Sequence, residues 1–464
     1  MNLTDLQTKR VLVLGAGKSG VASCRFLIGK AKEVYLSESK NISVHYKEEV
    51  LKLQEKGLKV EERKNSDEFL NNADLVIVSP GISPGSEVVK KLSAKNIPII
   101  SEIELANCFI KTPIIAVTGT NGKTTTTSLI THLINSSGVK KAIACGNIGI
   151  PLIEVLNREI NVDYYVLEIS SYQMFYSPTL SPYIAIFMNL TPDHLDWHGG
   201  IENYITAKKK LFNQQKHNSF SILNYLDPIV KDTKTKGKII YFSASLKSRS
   251  DVEGFENFSF FDGESLNIKF ENKISKIIDK KDLNILGLHN IENALAGIAV
   301  LKILGIKDIL LSSGLKSFQG VEHRIEFVDV INGKKFYNDS KATNPEATIK
   351  AIEAFDLDRK ITLILGGRDK NTDISEMVNL IKKKVYEVIL LGEAKDRFRS
   401  ELEKTSYNKI KEVKDLNEAI SKSLQSDTEI VLFSPACASF DMFKNYEERG
   451  KVFKDIIGGL RKSS

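Results

Sequence analysis

The run Ile114-Ile115-Ala116-Val117-Thr118-Gly119-Thr120-Asn121-Gly122-Lys123-Thr124-Thr125 carries residue types that can grip a phosphate. Gly119 and Gly122 let backbone N–H groups turn inward, Lys123 adds a full positive charge, and Thr124 offers a hydroxyl to Mg²⁺. Thr120, Asn121 and Thr125 complete the loop. The usual phosphate loop has a glycine five places before Gly-Lys. Here that place is Val117, so the loop is a shorter form. The bland alternative is an ordinary glycine turn. Gly-Lys-Thr between an apolar β-branched run and a helix-compatible segment (Ser128, Leu129, Ile130, Leu133, Ile134) disfavours it.

Two more apolar runs end in polar groups. Tyr164–Leu167 delivers Glu168, and Ile184–Met188 delivers Asn189 and then Thr191-Pro192-Asp193-His194. Parallel strands bring such ends to one edge, beside the phosphate loop. Glu168 and His194 are therefore candidate Mg²⁺ ligands alongside Thr124. Mg²⁺ prefers oxygen, and a loop histidine can simply cap backbone groups, but the neighbouring Glu168 and phosphate loop favour the ligand reading. Asn290 and Asn293 stand one turn apart near a helix start. They are candidates to hydrogen-bond a nucleotide base, since N-capping would use only one of them. Arg324 is a candidate to neutralise phosphoryl-transfer charge, and Asp339 and Lys341 to orient ATP or the phosphoryl group.

These residues need strands and helices to hold them, and the pattern is α/β throughout. Three domains are expected, at residues 1–108, 109–318 and 319–464, each a Rossmann-like or phosphate-loop-type, mostly parallel sheet flanked by helices. In the first, Val11–Leu14 reads as a buried parallel strand feeding Gly15-Ala16-Gly17-Lys18-Ser19-Gly20, with Glu38 after a second strand at Val34–Leu36. A lone Gly-x-Gly-x-x-Gly says only that a phosphate or nucleotide sits near the helix start. A third strand, Leu75–Val78, runs into the stiff loop Ser79–Pro84. In the third domain, Ile361–Leu365, Val388–Leu391 and Ile430–Phe433 each end in a polar or glycine loop. Residues 218–283 are rich in Asn, Lys and Ser, with short β-like runs, and yield no chemistry.

The 464 residues are 42% hydrophobic and 27% charged, ordinary for a globular protein, with a net charge of +7. The lysine runs 208–210 and 382–384 lack the aromatic-studded basic stripe of a nucleic-acid surface and read as solvated helix faces. Cys24, Cys108, Cys145 and Cys437 are scattered and look like small core residues in a reducing compartment. The first apolar run is too short for a signal peptide, and no run is long enough to span a bilayer. A cytoplasmic monomer acting on small molecules is expected, with no nucleic acid and no membrane insertion. Three nucleotide-type units around one ATP loop suggest a ligase that joins two bound molecules. A switch or motor ATPase would carry a full phosphate loop serving hydrolysis alone, and a reductase would leave that loop unexplained.

Several stretches resemble a known family. Thr118–Thr125 resembles the ATP loop of the Mur ligases and folylpolyglutamate synthases. Asn338-Asp339-Ser340-Lys341-Ala342-Thr343-Asn344-Pro345, Ser434-Pro435-Ala436-Cys437-Ala438-Ser439 and Asp441–Gly450 resemble the D-glutamate-adding branch of the Mur ligases. Sister ligases show Tyr-Ala-His or Tyr-Asn-Ala-Asn patterns where Ser340–Thr343 stands, and the resemblance runs from Val11 to the last helix.

The resemblance implies addition of D-glutamate to UDP-N-acetylmuramoyl-L-alanine through an acyl phosphate, with ATP and two Mg²⁺ ions. The alternative is another Mur ligase or a folylpolyglutamate synthase-like enzyme. It implies that Lys123 and Thr124 bind ATP phosphates and Mg²⁺ and that Glu168 and His194 ligate metal. Lys208, in Tyr-x-x-Ala-Lys, would be carbamylated; only this match reverses its reading as a solvated side chain. Asn290, Asn293, Arg324, Asp339 and Lys341 match nucleotide positions. Gly17, Lys18, Ser19, Asn147, Ser170 and His194 match the UDP-sugar side. Thr343, Lys370, Ser439, Phe440 and Tyr446 match the D-glutamate pocket. Catalysis would rest on Lys123, Glu168, His194, Lys208, Arg324 and Lys341. Where the family often has an aspartate contacting the uridine, this chain reads Leu36-Ser37-Glu38-Ser39.

Overall fold

The computed structural model describes residues 3–246, 249–355, 360–369 and 371–462. Three sheets organise the chain. The first holds β1 (Arg10–Leu14), β2 (Glu33–Glu38), β3 (Lys59–Glu62), β4 (Leu75–Val78) and β5 (Ile99–Ser101), all parallel, in the order β3-β2-β1-β4-β5. Val11–Leu14 are fully buried, as a central parallel strand covered by helices on both faces must be. The chain reverses direction across this sheet at β1, which places the glycine loop at its topological switch point. That loop needs its glycines. Gly15 has φ +93°, and a Cβ on Gly20 would lie 1.9 Å from the Gly15 carbonyl oxygen.

The second sheet holds nine strands: β6 (Ile114–Thr118), β7 (Ala142–Gly146), β8 (Tyr164–Glu168), β9 (Ile184–Phe187), β10 (Phe220–Asn224), β11 (Lys238–Ser243), β12 (Phe258–Phe261), β13 (Ser265–Phe270) and β14 (Lys273–Asp279). Their order is β14-β13-β12-β11-β10-β9-β6-β8-β7, parallel from β7 to β12 and antiparallel at β13 and β14. The stretch 218–283, whose short β-like runs carry no chemistry in the sequence, extends this sheet. β6 lies between β8 and β9, with Val117 opposite Glu168 and Thr118 opposite Phe187. The phosphate loop, Glu168 and the 189–194 loop thus leave the same edge.

The third sheet holds β15 (Glu326–Ile331), β16 (Lys334–Asn338), β17 (Ile361–Gly366), β18 (Val385–Leu391), β19 (Ile410–Glu412) and β20 (Ile430–Phe433), in the order β15-β16-β20-β17-β18-β19, with only β15 antiparallel. Two compact units result. One takes the chain up to Asp282 together with Glu292–Lys316; the other takes Leu283–Ile291 and the chain from Ser317 onward. The four cysteines are free, three buried and Cys108 half-buried. Lys382–Lys384 occupy the last turn of the helix Ser375–Lys384.

Within the first unit, the first two sheets are fastened together by polar contacts. Arg25 pairs with Glu154, Asn157 donates to the Ala22 carbonyl, and Glu104 accepts from the Thr179 backbone N–H at 3.1 Å. Glu102, 3% exposed, accepts from the Ile153 backbone N–H. Burial pushes the Glu102 carboxyl up from 4.5 to about 7. The unfolded chain therefore binds fewer protons than the folded one between these two values, so stability falls as pH rises through that window. The full cost, on the order of a few kcal/mol at about 1.4 per unit, is present above pH 7. Glu102→Gln keeps an acceptor for Ile153 and cannot ionise. It is expected to raise the melting temperature of the first unit by a few degrees at pH 8, with the gain shrinking toward pH 5. Calorimetry showing an equal gain at both values would discount this account.

Candidate active site

The phosphate loop leaves β6 through Gly119 (φ +147°) and Gly122 (φ +83°) into the helix Lys123–Ser136. Gly122 leaves room for a neighbour: a Cβ there would lie 2.7 Å from Asn293 Oδ1. Thr126 Oγ1 in turn donates to that oxygen at 3.0 Å. Lys123 Nζ donates to the carbonyls of Gly119 (2.9 Å) and Thr120 (2.8 Å), so its charge sits on the loop itself. The 189–194 loop is stapled alongside. Thr120 N–H donates to the Asn189 carbonyl at 2.9 Å, Asn121 N–H to Asn189 Oδ1 at 2.8 Å, and Thr120 Oγ1 to the Thr191 carbonyl at 3.0 Å.

Glu168 ends β8 with its side chain buried at 2% exposure. Asn147 Nδ2 donates to Glu168 Oε1 at 2.8 Å, and the Asn147 N–H donates to the Glu168 carbonyl at 2.9 Å. Glu168 Oε2 is buried with no protein hydrogen-bond partner. A buried carboxylate oxygen left this way fits a cation, so Glu168 suits Mg²⁺; it ends β8 opposite Val117, whose strand runs into the phosphate loop and Thr124. Gly146, at φ +94°, lets the Asn147 turn press against Glu168: a Cβ there would lie 2.4 Å from the Glu168 carbonyl oxygen.

Lys208 is the least expected member. It lies on the helix Ile201–Asn213 and is 2% exposed, not a solvated face. Its Nζ donates to the Gly119 carbonyl at 2.8 Å, the same oxygen that Lys123 uses. Burial first, and the Lys123 charge second, push the Lys208 amine well below its ordinary 10.5. Tyr204, one turn earlier, has its ring 4.7 Å from the Lys208 Nζ and its hydroxyl 3.0 Å from Thr120 Oγ1.

His194 opens a short helix (Leu195–His198) with φ +53°, and its imidazole is exposed. Its Nε2 lies 3.3 Å from Asp193 Oδ2, and its ring stands 4.9 Å from that of Tyr172. His198 is buried and pairs with Ser171 Oγ at 2.9 Å, and burial pushes its imidazole down to about 4, so it is neutral near pH 7. Tyr172, Trp197 and His198 carry no motif and were not legible as site residues. Only Tyr204, inside Tyr-x-x-Ala-Lys, had a sequence signal.

On the first sheet, Gly17 caps the helix Lys18–Leu27 without a side-chain bond. The neighbouring Ala16 N–H donates to Glu38 Oε2 at 2.8 Å, and Lys40 N–H donates to Glu38 Oε1 at 2.9 Å. Glu38 therefore shapes the glycine loop. Lys18 reaches the Gly149 carbonyl, and the Ser19 carbonyl accepts from Ser23 Oγ. Ser170 forms a capping box with Gln173 at the start of a five-residue helix.

The second unit gathers its own group. Asp339 is 6% exposed, accepting from Ser434 Oγ (2.6 Å) and the Ile325 N–H (3.2 Å), and burial pushes its carboxyl up to about 7. Both carboxylate oxygens serve the protein, which makes Asp339 a brace for the turn carrying Arg324. That turn is strained, with His323 at φ +64° and Ile325 at φ +44°. Arg324 itself is exposed. Lys341 N–H donates to the His323 carbonyl at 3.1 Å, and Lys341 Nζ lies 5.5 Å from the Tyr446 ring. Arg449, 2% exposed, ties Ser340 to the Cys437 carbonyl. Ser439 is buried, Phe440 is 63% exposed, and Thr343 lies on the same 339–344 loop as Lys341. Asn290 donates to the Leu286 carbonyl at 2.7 Å and shares the helix Leu288–Ile303 with Asn293. Lys370 lies outside the described residues.

Comparison with known proteins follows this layout. Residues 9–101 match the Mur ligase MurD-like N-terminal domain, 117–301 the Mur ligase middle domain, and 323–437 the Mur ligase glutamate ligase domain. The chain is 42% identical to a UDP-N-acetylmuramoylalanine--D-glutamate ligase of Thermoanaerobacter pseudethanolicus, across 99% of this chain and 100% of the relative. It is 41% identical to the protein of the same name from Caldicellulosiruptor bescii, across 98% and 99%. Among solved structures, the UDP-N-acetylmuramate-alanine ligase MurC of Thermotoga maritima shares the fold at a TM-score of 0.58 and 19% identity, covering 98% of this chain and 100% of that one. MurF of the same organism, solved in complex with ADP, does so at 0.56 and 16%, covering 100% and 97%. The domains match in order, and relatives matched over their whole length are 41–42% identical: the chain belongs to the Mur ligase family.

Proposed function

We propose that the chain is an ATP-dependent amide ligase that adds D-glutamate to UDP-N-acetylmuramoyl-L-alanine, in peptidoglycan precursor synthesis. The observation that carries this is full-length similarity to ligases of that name. The phosphate loop with a buried, unpartnered carboxylate oxygen beside it supports it. Mur ligases use ATP and Mg²⁺. Thr124, Glu168, His194 and a carbamylated Lys208 would hold the metal, as two ions. Bound there, Mg²⁺ supplies charge neutralisation to phosphoryl oxygens. Lys123 holds its charge over the loop carbonyls at a helix N-terminus, where phosphates bind. Arg324 and Lys341 add positive charge for the phosphoryl group, and Asn290 and Asn293 read the base.

The muramoyl-alanine carboxylate attacks the γ-phosphorus of ATP, and ADP leaves. The neutral amine of D-glutamate then attacks the acyl carbon, and phosphate departs as the amide forms. No enzyme nucleophile is required, so the protein's work is positioning and charge. Gly17, Lys18, Ser19, Asn147 and Ser170 bind the UDP-sugar. Thr343, Lys370, Ser439, Phe440 and Tyr446 bind D-glutamate, with Lys370 pairing a carboxylate. The enzyme acts as a cytoplasmic monomer. Among the described residues no helix is long and apolar enough to cross a membrane.

A phosphate-release assay with product detection tests this. Release is expected only with ATP, Mg²⁺, the UDP-muramoyl-alanine and D-glutamate together. Robust turnover with ATP and Mg²⁺ alone would place the protein among motor or switch ATPases. Amide formation from a folate and L-glutamate would place it with the folylpolyglutamate synthases.

A further inference from the structure

His194 has little to hold it. Its imidazole is exposed and its backbone is left-handed, a conformation few non-glycine residues adopt. Among the described residues, the ring has one aromatic neighbour, Tyr172 at 4.9 Å, and one charged neighbour, Asp193 at 3.3 Å. Asp193 precedes it on the same loop, whose contacts to the phosphate loop run through Asn189 and Thr191 and do not reach the imidazole.

Tyr172 is itself anchored. Its ring lies 4.4 Å from Trp197 and 5.6 Å from His198, nearly parallel to the latter at 26°. His198 is buried and bonded to Ser171. Tyr172 also sits in the first turn of the helix that the Ser170–Gln173 capping box fixes, directly after β8. The rigid end of β8, which carries Glu168, thus extends through Tyr172 to His194. The contact pattern is Glu168, a short capped helix, an aromatic ring, and then the imidazole.

We infer that Tyr172 is a positioning residue: its ring, braced by Trp197 and His198, sets the direction of the His194 imidazole relative to Glu168. This rests on the assignment of His194 to the metal and substrate site. The tyrosine hydroxyl plays no part; the ring does. A reacting group displaced by about 1 Å can cost on the order of a hundredfold in rate, which sets the scale of the effect.

The test uses Tyr172→Phe, Tyr172→Leu, His194→Ala and the Tyr172→Leu/His194→Ala pair. Tyr172→Phe should keep kcat within about twofold, while Tyr172→Leu should lower kcat ten- to hundredfold and leave the KM for D-glutamate unchanged. In the double variant the Tyr172→Leu loss should vanish, because a residue acting through His194 has nothing left to position. Independent of turnover, the imidazole proton resonances of His194, assigned by their absence in His194→Ala, should carry an aromatic ring-current shift in the free protein. Tyr172→Phe should retain that shift and Tyr172→Leu should lose it. Additive losses in the double variant, or an imidazole shift indifferent to Tyr172→Leu, would overturn the inference. Where the double variant turns over too slowly to measure, the resonance decides. Full activity of His194→Ala would instead remove the site assignment beneath it, with the ring-current result unaffected.

Discussion

Lys208→Ala should lose activity by on the order of 10³-fold, several kcal/mol of charge stabilisation, and regain part of it when acetate is supplied. The reasoning begins with burial. A lysine at 2% exposure, sharing a carbonyl oxygen with a second lysine, is held well below its ordinary pKa by desolvation and by that neighbour's charge. Its amine is therefore neutral often enough to react. CO₂ adding to the neutral amine would form an N–C bond with loss of one proton and turn the side chain into an anion with two oxygens. Such an anion would relieve the repulsion with Lys123 and offer Mg²⁺ the oxygen ligands it prefers. The remaining N–H can still donate to Gly119. Acetate fits the gap that alanine leaves and restores a carboxylate. A ¹³C spectrum of enzyme equilibrated with labelled bicarbonate should show one carbamate resonance, absent from Lys208→Ala. An active enzyme without that resonance, or a fully active alanine variant, would remove the carbamate from the mechanism.

Glu168→Gln should lower kcat by about 10²–10³-fold, again several kcal/mol, and raise the Mg²⁺ concentration needed for half-maximal rate. The amide oxygen can still accept from Asn147, so the β8 end should stay in place. What changes is the buried second atom. Glu168 Oε2, unpartnered within the protein, becomes an NH₂ group. A donor there opposes a cation and is itself left unsatisfied. Melting temperature separates the two readings of this residue. A loss of activity with a near-native melting temperature marks a ligand. A variant that unfolds early yet shows an unchanged Mg²⁺ requirement would make Glu168 a structural acid.

By itself the sequence determined the elements whose signal is local. Val11–Leu14, Ile114–Val117 and Ile430–Phe433 are unbroken apolar runs, and each became part of a buried interior strand. The phosphate loop was legible because its glycines and lysine are contiguous. Edge strands were not. Lys59–Glu62 reads Lys-Val-Glu-Glu and Ile99–Ser101 is three residues long, and only pairing with β2 and β4 makes them strands. The short β-like runs of 218–283 became β10 to β14, but their places in the sheet come from pairing with β9 and with each other, and β14 is mostly exposed at its edge.

The site divides in the same way. Lys208 was visible as a motif residue, but composition placed it on a solvated face beside Lys209 and Lys210. Burial of one lysine out of three depends on the helix Ile201–Asn213 lying against the phosphate loop, a contact 89 positions apart in sequence. Glu38 was visible as an acid after the second strand, yet only the fold shows both of its oxygens accepting from backbone N–H groups. Tyr172 carried no signal, since an aromatic in a short helix says nothing until Trp197 and His198 close on it. Residue type and local order are written along the chain. Desolvation, shared partners and ring contacts arise between distant segments, so they existed only once the sheets had brought those segments together.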